Sequence, residues 1–182
     1  MEEIKRDYYK NGKVNREKYC INAKCHREDG PAEIYYYKNG QVELERYYIN
    51  SLLHRENGPA ELSYFKNGKI CSEEYWINGR LHRENGPAEI YYYKNGQIWY
   101  KSYYVNSLLH REDGPVRIWY NEKGAILDKL YYINGEEITD EFQIMVINGL
   151  GMEKNEKNKT EDTSFKRGKS RKIFVIGENK NE

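Results

Sequence analysis

His26, His54, His82 and His110 stand 28 residues apart, and the chain's four prolines, Pro31, Pro59, Pro87 and Pro115, keep the same step. So do Gly12, Gly40, Gly68, Gly96 and Gly124, and two tyrosine columns, Tyr8/36/64/92/120 and Tyr19/47/75/103/131. No insertion breaks this register from about residue 4 to 135. A strict internal period constrains a fold more tightly than composition does, because every unit must make the same contacts with its neighbours as every other unit.

Each unit contains two runs rich in Tyr, Ile, Val and Trp, the side chains that favour strands. The first is AEIYYYK (32–38), AELSYFK (60–66), AEIYYYK (88–94) and VRIWYNE (116–122). The second is QVELERYYI (41–49), KICSEEYWI (69–77), QIWYKSYYV (97–105) and AILDKLYYI (125–133). Lys-Asn-Gly between them predicts a tight hairpin, since Asn and Gly tolerate positive φ; Lys123-Gly124 in the last unit is a weaker turn. A longer connection, such as NSLLHRENG (50–58), ends in Asp/Asn-Gly-Pro, with proline at the first residue of the next strand, where a missing N–H is tolerated. The expected architecture is all-β, an elongated antiparallel β-meander of about ten strands. Two strands per unit at ~4.8 Å advance the sheet by ~10 Å, and five units give a ribbon of ~50 Å.

Composition agrees with a thin structure. Mean hydropathy is −1.05, 32% of residues are charged, and the apolar content is largely aromatic, with 19 Tyr against 4 Phe and 3 Trp. Tyrosine suits a surface packed on one side and wet on the other. Thirty basic residues balance 29 acidic ones, so no global field favours nucleic acid or anionic membrane. No signal-peptide pattern and no run of ~18 apolar residues is present, and with Cys20, Cys25 and Cys71 an odd set without metal-like spacing, a cytoplasmic setting is expected.

Period-two alternation sorts the faces. Ala32, Ile34 and Tyr36 share one side of the first strand, Tyr47 and Ile49 one side of the second, and these columns are nearly uniform. They are the expected packing face. The opposite columns vary, and Tyr35, Tyr37, Phe65, Trp76, Tyr91, Tyr93, Tyr104 and Trp119 there form the candidate binding surface, because exposed aromatic patches mark partner sites. Glu33, Glu61 and Glu89 among them repel phosphate, which favours a protein partner over single-stranded nucleic acid.

The words YYKNG, followed by YYIN-x, resemble the MORN-type repeat, in particular its variant with Tyr-Tyr-x-Asn-Gly units. The carriers are Tyr8–Gly12, Tyr36–Gly40, Tyr64–Gly68 and Tyr92–Gly96, and the resemblance covers roughly residues 5 to 140. Such repeats occur in antitoxin-like proteins and in proteins of large DNA viruses. The resemblance implies an elongated β-meander used for binding, with no catalytic residue to carry over. The unit here is longer than usual by the segment Leu-His-Arg-Glu-Asp/Asn-Gly-Pro.

That added segment supplies the other candidates, His54, Arg55, His82, Arg83, His110 and Arg111. Metal binding is not expected. Imidazoles sharing one zinc each lie ~2.1 Å from it, whereas adjacent rungs lie ~10 Å apart. Catalysis by His-Arg-Glu lacks a pocket and a nucleophile in register, and no nucleotide or cofactor fingerprint appears, so no cofactor is expected. The structural reading is that each loop folds over the uniform Tyr/Ile face. Histidine then contacts a tyrosine, while Arg and Glu ladder with the loops of adjacent units. An anion-binding arginine row is the weaker alternative, since each neighbouring Glu cancels the charge.

The expected organisation is a repeat array over 1–135, a C-terminal cap over 136–151 and a charged, disordered tail over 152–182. Within the tail, the basic run 166–172 could contact acidic surfaces or nucleic acid, and IFVI (173–176) could add a strand to a partner's sheet. The function expected is a non-enzymatic scaffold whose partner is a protein: a toxin, a host factor or an assembly component. The alternative is a structural element that self-associates through its sheet edges, and an enzyme or anionic-ligand binder built on the His-Arg-Glu loops is the remaining reading.

Overall fold

The structure, a computed structural model, describes residues 2–138. The C-terminal cap beyond Ile138, the tail and the basic run 166–172 lie outside the described residues. Among the described residues all regular structure is β-strand, arranged in five units. The first comprises β1 (Glu2–Tyr8), β2 (Val14–Ile21) and β3 (Lys24–Cys25). The second has a main hairpin, β4 (Glu33–Tyr36) and β5 (Val42–Arg46), and a minor one, β6 (Tyr48–Ile49) and β7 (Leu52–Leu53). The third repeats this as β8 (Glu61–Tyr64), β9 (Ile70–Glu74), β10 (Trp76–Ile77) and β11 (Arg80–Leu81). The fourth is β12 (Glu89–Tyr92), β13 (Ile98–Ser102), β14 (Tyr104–Val105) and β15 (Leu108–Leu109). The fifth is β16 (Arg117–Tyr120), β17 (Ile126–Leu130), β18 (Tyr132–Ile133) and β19 (Glu136–Glu137).

The main strands pair antiparallel in the order β1-β2-β4-β5-β8-β9-β12-β13-β16-β17, with β3 attached to β2. This is the expected meander. In the four later units, however, the second run is not one continuous strand. It leaves the main sheet at Tyr47, Tyr75, Tyr103 and Tyr131, and its last residues turn back as the minor hairpin. That hairpin closes on a two-residue turn in which both positions hold positive φ: Asn50 (51°) and Ser51 (67°), or Asn78 (51°) and Gly79 (74°). Paired left-handed residues are what a tight hairpin requires, and Asn with Gly or Ser supplies them cheaply. The YYIN-x words carried this signal.

The Lys-Asn-Gly turns close as expected. Tyr37 N–H donates to Gln41 O and Gly40 N–H to Tyr37 O, while Gln41 N–H is held by Asn39 Oδ1. In the last unit Asn121 takes over, its Oδ1 accepting from Lys123 and Ala125 N–H. The turn expected to be weaker thus gains a second side-chain bond.

Each main hairpin contains a bulge one residue before its turn. Tyr35 pairs with Leu44 but Tyr36 with Val42, leaving Glu43 as the extra residue; Cys71, Trp99 and Leu127 occupy this position in later units. A bulge re-aims the side chains around it, and here it breaks the period-two alternation in every unit.

Burial is narrow. Ala32, Ala60, Ala88 and Val116 are wholly enclosed. Each is held from both sides, as where Ala60 N–H donates to Glu74 O and Ala60 O accepts from Tyr47 N–H. Rungs are further fastened by tyrosine hydroxyls. Tyr9, Tyr37 and Tyr93 donate to the carbonyls of Tyr36, Tyr64 and Tyr120, at 2.7–2.8 Å. Tyr36, Tyr64 and Tyr92 donate back to Glu17, Glu45 and Glu73 of the preceding unit; burial and this carboxylate push the Tyr36 phenol up to about 12. Phe65 stands in the donor column without a hydroxyl. Phe65→Tyr is expected to add the missing bond to the Tyr92 carbonyl and stabilise the chain by about 0.5–1.5 kcal/mol, read as a higher urea midpoint at unchanged slope.

Candidate functional site

Side chains directly opposed across paired strands share a face, so the registers assign both faces of the ribbon. One carries Ile34, Leu62, Ile90 and Ile118 with the Tyr36 and Tyr47 columns, and the connecting loops lie over it. The loops do cover the uniform Tyr/Ile face, but histidine and arginine exchange the parts expected of them. The arginine is the residue that meets tyrosine. Arg27, Arg55, Arg83 and Arg111 place their guanidinium carbons 4.2, 3.9, 3.7 and 4.1 Å from the ring centres of Tyr19, Tyr47, Tyr75 and Tyr103. Each also donates to the carbonyl of the proline four residues on, at 3.1–3.4 Å. A planar cation can serve both partners at once, where a lysine ammonium cannot.

The glycine before each proline belongs to this stack. A Cβ built on Gly58 or Gly86 would sit 3.3 Å from the guanidinium carbon of Arg55 or Arg83, and both glycines hold φ values (+145° and +137°) that side chains rarely adopt. In the first and last of these four loops Asp29 and Asp113 add a bond from Arg27 and Arg111; that bond depresses both carboxyls.

The histidines fasten one unit to the next. The Nδ1 atoms of His26, His54, His82 and His110 accept the backbone N–H of Asn50, Asn78, Asn106 and Asn134 at 3.2–3.3 Å. Backbone bonds run parallel to them: Arg55 N–H donates to Trp76 O, and Gly79 N–H to Leu53 O. His54, Arg55, His82, Arg83, His110 and Arg111 are therefore engaged in holding loops together. No group of three or more His, Cys, Asp or Glu able to hold a metal ion occurs among the described residues.

The four arginine loops of the described residues all lie on that first face, and the other face holds two rows of side chains running across the strands. One row reads Lys18, Glu33, Arg46, Glu61, Glu74, Glu89, Ser102, Arg117. Its first half is an alternating ion-pair chain: Arg16 and Arg46 flank the buried Glu33, and Arg46 Nε reaches Glu61 at 2.6 Å. Its centre places three carboxylates on adjacent strands. Tyr91 OH and Trp76 Nε1 donate to Glu74 at 2.6 and 3.1 Å, and Arg117 lies 3.7 Å from Glu89. Burial first and Glu74 second raise the Glu89 carboxyl above its ordinary value, against the pull of Arg117.

The second row gathers aromatic rings in the later units. Tyr91 stacks on Tyr100 with centroids 4.6 Å apart, and Trp119 lies 6.5 Å from Tyr100. Trp99, the bulge residue, joins them at 5.2 Å from Tyr100 and 6.3 Å from Tyr93. The eight aromatic residues singled out from the sequence are all half-buried, with Tyr37 and Tyr93 bonded to the next unit and Trp76 and Tyr104 bonded to Glu74 and Arg117. Tyr35 lies by Arg16 and Arg46 in the ion-pair chain, away from the later cluster. The most open ring of this cluster is Trp99, 43% exposed, and the bulge position one unit on holds Leu127, 64% exposed. Strict alternation assigns Trp99 to the opposite side from Tyr100, so sequence reasoning missed it; only the bulge brings them together.

Two outcomes follow. Arg83→Ala is expected to destabilise the chain by about 1–3 kcal/mol through the lost ring contact and Pro87 bond, and Arg83→Lys to recover little of it, measured by urea unfolding. Glu89 gives a pH signature. Its folded carboxyl is raised, so the folded state binds the proton more tightly than the unfolded chain, and the ionised form opposes folding at neutral pH. Glu89→Gln is expected to be more stable than wild type at pH 7. That margin should shrink as pH falls through the raised folded value and vanish below the ordinary carboxylate value, as read from unfolding midpoints across pH.

Residues 32–50, 60–78 and 88–106 each match the MORN repeat variant, one match in each of the second, third and fourth units and 28 residues apart. No curated protein matches the chain significantly. Repeats of this kind are generally protein- or membrane-binding scaffolds, and an all-β array of them suggests a scaffold rather than a catalyst. No helix among the described residues is long and apolar enough to cross a membrane. The Tyr-Tyr-x-Asn-Gly words thus mark the repeat they resemble, and three units of the chain match the MORN repeat variant at a 28-residue spacing.

Proposed function

We propose that the chain is a non-enzymatic scaffold that binds another protein through the face of its later units opposite the arginine loops, centred on Trp99 with Tyr93, Tyr91, Trp119 and Leu127. The observation that carries this reading is the contrast between the two faces. On one, the conspicuous loop side chains are engaged in holding the loop layer: arginine to a tyrosine of its own unit, histidine to the backbone of the next. On the other, an aromatic cluster ends in an exposed indole and an exposed leucine, the kind of anchors that carry interface energy. Glu61, Glu74 and Glu89 beside it favour a protein over a phosphate-bearing partner. A cytoplasmic setting goes with this reading, in which Cys20, Cys25 and Cys71 are an odd set of cysteines.

Self-assembly end to end is the other reading, and the edge strands oppose it. Continuing the register of β5 on β8 from β17 onto β1 of a second copy sets Asp128 against Asp7 and Lys129 against Arg6. Like charges directly opposed destabilise a strand pair, and natural sheets use such charges to keep edges apart.

The reading is tested by capture from the native host with wild-type chain, a Trp99→Ser/Leu127→Ser double variant and a Tyr35→Ser variant, each confirmed by light scattering to be a folded monomer. Partner recovery is expected to fall at least severalfold for the double variant and to persist for Tyr35→Ser. Equal recovery by all three removes the reading, and concentration-dependent polymers of the wild type would return it to self-assembly.

A further inference from the structure

The positions that hold Tyr48 and Leu53, Trp76 and Leu81, or Tyr104 and Leu109 in later units hold Cys20 and Cys25 in the first. In the second to fourth units these are aromatic–leucine pairs directly opposed across the minor hairpin, and in the fifth the pair is Tyr132 and Glu137. In the first unit two thiols face each other in the same register. Both members of the pair change together, which a stray cysteine does not explain.

The hairpin geometry suits a covalent link. Asn22 and Ala23 turn the chain at φ 50° and 64°, so Ile21 and Lys24 form the bonded pair that closes a two-residue turn. On the far side His26 N–H donates to Tyr19 O. Cys20 and Cys25 thus lie between two bonded pairs, where opposed Cα atoms come closest, about 4.5 Å. A disulfide spans Cα separations of roughly 4.4–6.8 Å. Both thiols are buried, and Cys20 shares its side of β2 with Lys18, the ammonium beside the Cys25 sulfur.

We propose that Cys20 and Cys25 form a dithiol–disulfide site, oxidised by a small-molecule disulfide of the glutathione class. Cys20, deprotonated, attacks one sulfur of the reagent RSSR; a Cys20–SR bond forms, and RS⁻ leaves and takes up a proton. Cys25 then loses its proton to solvent and attacks the Cys20 sulfur, closing the protein disulfide and expelling the second RS⁻, which is protonated in turn. Two protein thiols are oxidised, and one RSSR is reduced to two RSH. The link fixes the rung on which the next one stacks, because Cys25 O accepts Ser51 N–H and Cys25 N–H donates to Ser51 Oγ.

The chain supplies its own assay, since trypsin cuts after Lys18, Lys24 and Arg27 and so separates the two cysteines. The full chain and its Cys71→Ser variant are oxidised with glutathione disulfide, once folded and once during refolding from the reduced, denatured state. Remaining thiols are then alkylated and the digest weighed. The expected result is peptide 19–24 joined to 25–27, with alkylation confined to Cys71 in the wild type and absent from Cys71→Ser. Cys20→Ser should abolish the joined product. Burial raises the Cys25 thiol despite Lys18, so linkage in the folded chain is expected to form faster as pH is raised. Two alkylated thiols in Cys71→Ser under both protocols, or stable glutathione adducts in place of the joined peptides, would overturn the proposal.

Discussion

A single sheet without helices to cover it has to find a second layer in its own connections, and here that layer rests on one contact: an arginine guanidinium laid on a tyrosine ring. Arg27, Arg55, Arg83 and Arg111 each make it, at 3.7–4.2 Å. Its geometry accounts for the wording of the loop. Glycine follows because a Cβ would strike the guanidinium, and the proline carbonyl accepts the hydrogen bond that holds the arginine flat. The enclosed Ala32, Ala60 and Ala88 come next, where the chain re-enters the sheet. The polar composition is thus compatible with a defined structure, since ring–cation stacking and hydrogen-bonded tyrosine replace much of what aliphatic burial supplies elsewhere.

The repeated contacts that leave a unit reach only its immediate neighbour. Tyrosine hydroxyls bridge 27 and 19 residues, and histidine Nδ1 accepts across 24. Stability in such an array is a sum of unit and nearest-neighbour terms. Side chains outside those contacts are therefore free to differ from rung to rung without affecting distant units. The face opposite the arginine loops uses that freedom: ion pairs around Glu33 in the early units, carboxylates at the centre, aromatic rings around Tyr100 in the later ones. A rigid ribbon with one uniform and one varied face is well matched to presenting a binding surface.

The candidate site was legible in part. Tyr91 and Trp119 belong to the aromatic cluster, as their varied columns indicate. Tyr37 and Tyr93 stand in a varied column too, yet their hydroxyls fasten backbone, and Phe65 differs by lacking that bond. Trp99 escaped because its side follows from a bulge, and a bulge is a property of two paired strands rather than of either one alone. His54 and His82, expected to contact tyrosine, accept instead the backbone N–H of a residue 24 positions on, a bond that depends on how two loops stack.

By itself the sequence determined the period, the antiparallel meander and the main turns, because these depend on local chemistry repeated without error: Asn and Gly at positive φ, β-branched and aromatic residues in strands, proline at strand starts. Only the tertiary structure decided which loop residue covers the tyrosines, where each second strand breaks into a minor hairpin, and which aromatic ring faces solvent. Those outcomes turn on register and stacking between residues distant in the chain, and a single unit read in isolation contains neither.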